Sequence, residues 1–381
     1  MTPNALSAQR RAAQGADCDG TMTICRGCGR PDLDRVLDLG KVPAADHFPP
    51  AGEPVTAEEA SYPLAMDLCV HCGLAQLADD DTETAEPRGV EPQALRDQAV
   101  DAIQRVSTGG WLRGSTVREF GSPHGGTWLP LLLQRGYSEC VSGPADVVLD
   151  SFGIMHDPDQ RSAFRLRAEA TAPGGVLLLQ FHSLLTIVRL GQWNALRHGH
   201  FAYYSLTALT RLLAATGMSI VSAWEFGLYG GTVLVAAVHG KAEPDHSVND
   251  ILRRERAFGV TDTTVVQRLQ RSAQDHIARL RDWLLEQASR QRTVYGYGAG
   301  SRVVALFSIA GVDRRLLRAV ADASPAKQGR RIPGTDVVIV SPEQLIAADP
   351  DRVLLTLPDL YDEVRQKFPQ LDGRWSVDIL D

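Results

Sequence analysis

The sequence predicts an α/β protein in three parts: a small zinc-ribbon-like module at the N-terminus, a shortened Rossmann-like nucleotide-binding domain, and a second Rossmann-like domain at the C-terminus. Three observations carry this prediction. Two Cys-x-x-Cys pairs stand early in the chain, Cys25-Arg26-Gly27-Cys28 and Cys69-Val70-His71-Cys72. A hydrophobic strand from Val117 runs into the glycine loop Gly121-Ser122-Pro123-His124-Gly125-Gly126. A later strand runs into Gly296-Tyr297-Gly298-Ala299-Gly300-Ser301-Arg302, where a helix pattern begins.

Taken in chain order, residues 1–20 are polar and aperiodic and read as a disordered tail that contains Cys18. Residues 21–80 read as the zinc domain, because two Cys-x-x-Cys knuckles can wrap four thiolates tetrahedrally around one ion. A closed four-sulfur site leaves no position for substrate, so the expected zinc is structural. Two disulfides are the competing reading, which a chain without a secretion signal disfavours. Glycine follows each knuckle, at Gly29 and Gly73, where a tight turn would aim amides at the sulfurs. Cys140 reads as a buried apolar residue rather than a nucleophile.

A link rich in Pro, Asp and Glu at 78–92 separates this module from residues 93–240, where strands at 145–150, 176–180 and 232–238 alternate with helical patterns at 160–172 and 206–216. This second unit is truncated. A dinucleotide-binding or adenosyl-binding unit places an acid at the end of its second strand, about 20 residues beyond the glycine loop, to hold the ribose hydroxyls. After a helix pattern at 128–135 only residues 136–144 remain before the strand at 145–150, which reads as the fourth of the usual series. The acid is absent, and the intervening stretch is too short for the missing strand and helix. Residues 247–291 form a charged amphipathic helical bridge, and 292–381 the second Rossmann-like domain.

At 381 residues, 44% hydrophobic and with a net charge of -7, the chain can bury real cores and lacks the basic face that general nucleic-acid binding requires. Its apolar runs, such as 176–179 and 232–238, are far shorter than a membrane span. A cytoplasmic protein with a small-molecule substrate is expected.

The zinc knuckles, the glycine loop, His198-Gly199-His200-Phe201-Ala202-Tyr203-Tyr204-Ser205, Gly230-Gly231-Thr232, Gly296-Tyr297-Gly298-Ala299 and Asp322-Ala323-Ser324-Pro325-Ala326-Lys327-Gln328-Gly329 resemble, in order, the nucleotide-deoxysugar C-methyltransferases. The resemblance implies a zinc domain, a class I methyltransferase-like domain that binds S-adenosylmethionine, and a substrate-holding C-terminal domain. It also implies methylation of a nucleotide-linked 4-keto-sugar at the carbon beside the ketone. The departures are as informative. The family's Glu-Ile-Gly-x-Asn-Asp-Gly loop becomes Glu119-Phe120-Gly121-Ser122-Pro123-His124-Gly125, and its Tyr-x-Glu-His motif becomes Arg197-His198-Gly199-His200. His200 survives without its tyrosine and glutamate neighbours, and His156 looks like a second family histidine.

Two histidines without a methyl donor can still take a proton from carbon beside a carbonyl and return one elsewhere, because imidazole titrates near neutral pH. The favoured expectation is therefore a repurposed member of the family, an isomerase, lyase or cyclase of secondary metabolism acting on a keto-sugar nucleotide or a polyketide-type substrate without S-adenosylmethionine. His200 and His156 would move protons, Arg197 would stabilise an enolate, and Tyr203 would donate a hydrogen bond. Gly298, Ser301, Arg302, Lys327 and Arg330 would hold the substrate, and Cys25, Cys28, Cys69 and Cys72 the zinc. A true C-methyltransferase that holds its cofactor through Gly121, Gly125 and Ser151 is the alternative, and a non-catalytic scaffold a third. His124, His182 and His198 are read as incidental.

Overall fold

The computed structural model describes residues 23–80, 82, 91–123 and 126–377. The tail with Cys18, most of the acidic link, and His124 and Gly125 of the glycine loop lie outside the described residues.

The N-terminal sheet is built from β1 (Leu33–Val42), β2 (Tyr62–Cys69) and β3 (Ala75–Leu77), all antiparallel, with Leu33 opposite Cys69 and Val42 opposite Tyr62. The two knuckles meet at one end of it. In each, a left-handed glycine closes the turn: Gly29 (φ 75°) donates its amide to the Cys25 carbonyl at 2.8 Å, and Gly73 (φ 77°) donates to that of Cys69 at 2.9 Å.

The central part runs α1 (Gln93–Thr108), β4 (Thr116–Phe120), α2 (Leu129–Leu133), β5 (Ser138–Glu139), β6 (Ala145–Ser151), α3 (Gln160–Ala170), β7 (Thr171–His182), α4 (Leu184–Arg189), β8 (Ala202–Tyr203), α5 (Leu206–Ala214), β9 (Met218–Phe226) and β10 (Thr232–His239). Its sheet has the order β5-β4-β6-β7-β10-β9, the first four strands parallel and β10 antiparallel to both neighbours. Alternation sorts the core onto two faces. Val147, Leu149 and Leu178 pack with Ile103 of α1 and Leu132 of α2, while Val148, Leu177 and Leu179 pack with Phe164 of α3 and Leu209 of α5. β8 leaves this sheet and pairs with β3, so the segment carrying His200 completes the sheet of the zinc module.

The expected truncation is visible and needs one correction. The second strand survives as the two residues of β5, paired with Thr116 and Val117 at the base of β4 and stopping three residues short of Phe120. The chain then turns through Cys140 to Pro144 straight into β6, which lies on the other side of β4. Among the described residues, no acid reaches the carboxyl end of β4 from this edge. Glu139 and Val141 are both exposed.

Helices α6 (His246–Phe258), α7 (Thr263–Val266) and α8 (Arg268–Ser289) lead to the last part. There β11 (Val294–Tyr297), β12 (Ala319–Ala321), β13 (Val338–Val340), β14 (Arg352–Leu355) and β15 (Trp375–Ser376) form a parallel sheet of order β13-β12-β11-β14-β15, with α9 (Arg302–Ala310) after β11. The helical spacing of Leu269, Ala273, Leu280 and Leu284 gives α8 an apolar stripe. That stripe joins Val36 and Leu37 of β1 and Val303 and Phe307 of α9 in one continuous core. Buried Arg331 adds a polar strut, pairing with Glu59 and donating to the carbonyls of Glu53 and Pro54. Among the described residues no helix is long and apolar enough to cross a membrane.

Candidate active site and metal centre

The four knuckle cysteines converge as the sequence requires. Cys25 Sγ lies 3.5 Å from Cys72 Sγ and Cys28 Sγ 3.6 Å from Cys69 Sγ, and the four sulfurs all fall within 4.8 Å of one another. Four thiolates around zinc at 2.3 Å place their sulfurs about 3.8 Å apart, so the cluster fits the ion without rearrangement. No cysteine of the four is in a disulfide. Donation from Cys72 holds the Cys25 thiol down to about 5, while burial pushes Cys28 up to about 11. Charge on one sulfur opposes charge on the next, a conflict that a bound dication removes.

The histidine cluster is assembled by a loop that several elements pin. Tyr203, on β8, accepts the Arg197 amide on its phenol oxygen at 3.1 Å and donates to the Ala195 carbonyl at 3.2 Å, so its hydroxyl is fully used in shaping the loop rather than offered to a substrate. Gly199, at φ 75°, donates its amide to Asp80 Oδ2 at 2.7 Å and accepts from His156 Nδ1 at 2.8 Å. That second bond fixes the His156 tautomer: the proton sits on Nδ1, and Nε2 carries the basic lone pair. His200 packs edge-on to His156, with ring centroids 4.4 Å apart, and its Nε2 accepts from Arg197 Nε at 2.8 Å. Arg197 also donates to Ser301 Oγ at 2.9 Å, which links the cluster to the start of α9. Arg197 is thus a positioning group for His200.

Next to Ser301 stands Arg302, half-buried over the Tyr229 ring at 5.1 Å. It makes no hydrogen bond or ion pair with any described residue. Burial, then the nearby charge of Arg197, presses its guanidinium down to about 10. A half-buried cation without an anionic partner suits an anionic or strongly polarised oxygen. Arg302 also lines a cleft of about 1170 Å³ between α8, the Gly230 turn and the loop after β14, together with Gln192, His276, Arg279 and Asp359.

Two residues expected to hold substrate make hydrogen bonds to the scaffold. Lys327, buried, donates to the Ala299 carbonyl at 3.0 Å and props the C-terminal glycine loop from beneath. Arg330 donates to the Phe48 carbonyl at 2.7 Å and ties the zinc module to this domain. Gly298, at φ 97°, is required by space, since a Cβ there would lie 2.5 Å from Thr356 Oγ1.

Some site residues were not expected from the sequence. His182 is buried beside the cluster, and burial, then Arg302, lowers it to about 3, so it stays neutral. Tyr229, Asp80 and Gln192 join it. Only Tyr229 had a local signal, its place beside Gly230 and Gly231. His198 is structural, its Nε2 3.0 Å from the Pro63 carbonyl.

Open parallel sheets bind ligands at the carboxyl ends of the strands where the strand order reverses, here between β4 and β6. The loops at that point touch backbone to backbone: a Cβ on Gly153 would come within 3.0 Å of the Gly121 carbonyl, while Gly121 opens on free space. Ser151 lies at the mouth and donates to Gln180 at 2.9 Å. Glu119 turns away to accept the Trp128 amide at 2.7 Å and the Thr127 hydroxyl, closing the glycine loop. Gly121 and Ser151 are the described residues here that could hold one end of an adenosyl cofactor. Among the described residues β5 brings no acid to this crevice, because it stops at the base of the sheet, while the Glu91 carboxylate lies against the far side of the glycine loop at Gly126.

A zinc knuckle module, a methyltransferase-type sheet and a parallel C-terminal domain around one histidine cluster define a class, and the comparisons give it a name. Residues 25–84 match the family model described as a putative zinc binding domain, 92–223 a methyltransferase domain, and 227–379 a C-methyltransferase C-terminal domain. The chain belongs to the sugar C-methyltransferase family. It is 25% identical over 406 aligned residues to the C-methyltransferase NovU of Streptomyces niveus, covering 93% of this chain and 95% of that one. Among solved structures, magnesium protoporphyrin IX methyltransferase ChlM of Synechocystis PCC 6803 is 12% identical, with 39% of this chain and 81% of that chain covered at a TM-score of 0.29. A possible histamine N-methyltransferase of Thermotoga maritima is 13% identical, covering 38% and 89% at the same score of 0.29. At that level of similarity, the strand order above remains the stronger statement of fold.

Proposed function

We propose that this protein is a natural-product enzyme that takes a proton from the carbon beside a ketone of a nucleotide-linked keto-deoxysugar, as the first half of a C-methylation. The observation that carries the reading is the His156 tautomer. With Nδ1–H held by the Gly199 carbonyl, Nε2 is the basic ring nitrogen and acts as the general base, oriented by backbone as a carboxylate orients histidine elsewhere. The proton moves from carbon to His156 Nε2, the bond's electron pair becomes the enolate double bond, and the carbonyl oxygen takes up the charge. Arg302 stabilises that oxygen more than the neutral ketone, which lowers the barrier. His200, held by Arg197, shields and positions His156. S-adenosylmethionine, lodged at Gly121 and Ser151, would supply the methyl group to the carbon. The family membership and the full-length match to NovU support methylation as the fate of the enolate.

A second reading, return of the proton to another position without the cofactor, is favoured by the missing ribose acid at β5. One experiment separates them. The protein is incubated in heavy water with thymidine diphosphate 4-keto-6-deoxyglucose, with and without S-adenosylmethionine, and the sugar is read by NMR and mass spectrometry. Deuterium beside the ketone together with a methylated product on adding cofactor is the expected result. Deuterium or a rearranged sugar with no methylation selects the second reading, and neither exchange nor product refutes both. Calorimetry with S-adenosylhomocysteine gives an independent check, since heat saturating below ~100 μM marks a real pocket.

A further inference from the structure

We propose that Tyr229 is a further catalytic residue, the neutral hydrogen-bond donor that meets the carbonyl oxygen beside Arg302 as the enolate forms.

Tyr229 has φ 55° and ψ 32°, in the left-handed region that a tyrosine adopts only under strain. Gly230 and Gly231 follow at φ 76° and 152°, so glycine is already in use at this turn, yet position 229 keeps a large side chain where glycine would be relaxed. Contacts on the other side explain how the strain is held. A Cβ at Gly230 would lie 2.4 Å from Gln192 Nε2 and one at Gly231 2.6 Å from Thr186 Oγ1, so the turn is pressed flat against α4 and the segment after it. Tyr229 is the side chain the flattened turn sends into the site. There its ring lies 5.1 Å from the Arg302 guanidinium carbon and 6.4 Å, edge-on, from Phe152. Phe152, in the loop after β6, is itself left-handed at φ 59°. Two strained aromatic residues therefore face each other, Phe152 from the loop after β6 and Tyr229 beside Arg302.

The position suits the chemistry. Arg302, Ser301, Arg197 and His200 form a chain of contacts from the Tyr229 ring to the base pair of histidines. The charges of Arg302 and Arg197 favour ionisation of the phenol, and those of Asp359 and Glu91 oppose it. Burial raises its pKa above the ordinary tyrosine value, so the group holds its proton through neutral pH and can donate. A neutral donor and a fixed cation at one oxygen is the combination that stabilises an enolate more than a ketone. Tyr203, expected from the sequence to donate this bond, has its hydroxyl committed to the loop backbone, and Tyr229 takes over the role.

The proposal rests on the carbon-acid reading above, and its test separates the two. Deuterium exchange into thymidine diphosphate 4-keto-6-deoxyglucose is measured for the wild type, Tyr229→Phe, Tyr229→Gly and His156→Gln, with melting temperature and zinc content alongside. Tyr229→Phe keeps the ring on Arg302 and Phe152 and should melt with the wild type. Loss of one donor at a developing oxyanion should lower its kcat for exchange by ~100-fold with KM within a few-fold. Tyr229→Gly relieves the backbone and should be no more active. Normal exchange by Tyr229→Phe, with His156→Gln inactive, overturns the role of Tyr229 alone. A shift confined to KM also overturns it, since the phenol would then act in ground-state binding. No exchange by the wild type removes the enolate and overturns both readings.

Discussion

At the residue scale the cluster makes a ranking that sequence could not. His200 stands out in the sequence, yet its Nε2 accepts from Arg197, whereas His156 is held at Nδ1 by a backbone carbonyl that fixes its tautomer. His156→Gln should lower proton exchange by at least ~100-fold, and His200→Gln should cost less, both with unchanged melting. The reverse order would show that the tautomer has been assigned to the wrong ring. Arg302→Met should remove the charge at similar length and cut kcat by ~10- to 1000-fold at unchanged zinc content. Retention of full activity would place the developing charge elsewhere. The histidines were legible because their chemistry is rare in an apolar block. For Lys327, Arg330 and Tyr203 residue type does not reveal that each has a backbone carbonyl for its polar atoms.

At the element scale the zinc module is part of the catalytic loop's support. β3 pairs with β8 through Ala75 and Tyr203, and the Gly199 amide reaches back to Asp80. Removing the metal should therefore disturb the site as well as the module. Cys69→Ser, or a strong chelator at mildly acidic pH, should release one zinc per chain, raise amide exchange over residues 199–204, and abolish activity. Zinc loss with the loop still protected would show that β8 stands without its neighbour. The knuckles, the glycine loops and the alternation of Val147, Val148 and Leu149 were readable because each is a local pattern. The two-residue β5 was not, since so short a strand is set by its pairing with Thr116 and Val117 rather than by its own residues.

At the scale of the whole molecule, one core and one buried ion pair lock the C-terminal sheet to the zinc module. Arg331→Ala strands Glu59 without its partner and should destabilise by about 3 kcal/mol, read as a shift in the urea midpoint. No shift would mean that the strut is dispensable. Acid should act through other groups. His182 and His276 are lowered to about 3 and about 4, each chiefly by burial, and His276 accepts Trp193 Nε1 at 3.0 Å. Their unfolded values lie near 6.5, so below that pH the unfolded chain binds more protons, and stability falls as pH drops from about 6.5 toward 4 and is level above. Going from pH 7.5 to 5 should cost about 2 kcal/mol for each. His276→Gln, which keeps an acceptor for Trp193, should flatten part of that loss. An unchanged pH slope would remove His276 from the account.

The sequence by itself determined the metal centre, the order of the three parts and the loss of the ribose-binding edge. Each follows from spacing along the chain: two sulfurs three residues apart, a glycine turn after a strand, too few residues for a strand and helix. Tertiary structure alone decided which polar atoms remain for chemistry. A donor's partners come from segments such as Asp80 and Gly199, or Ser301 and Arg197, that are distant in sequence, and only folding shows which hydrogen bonds are already made.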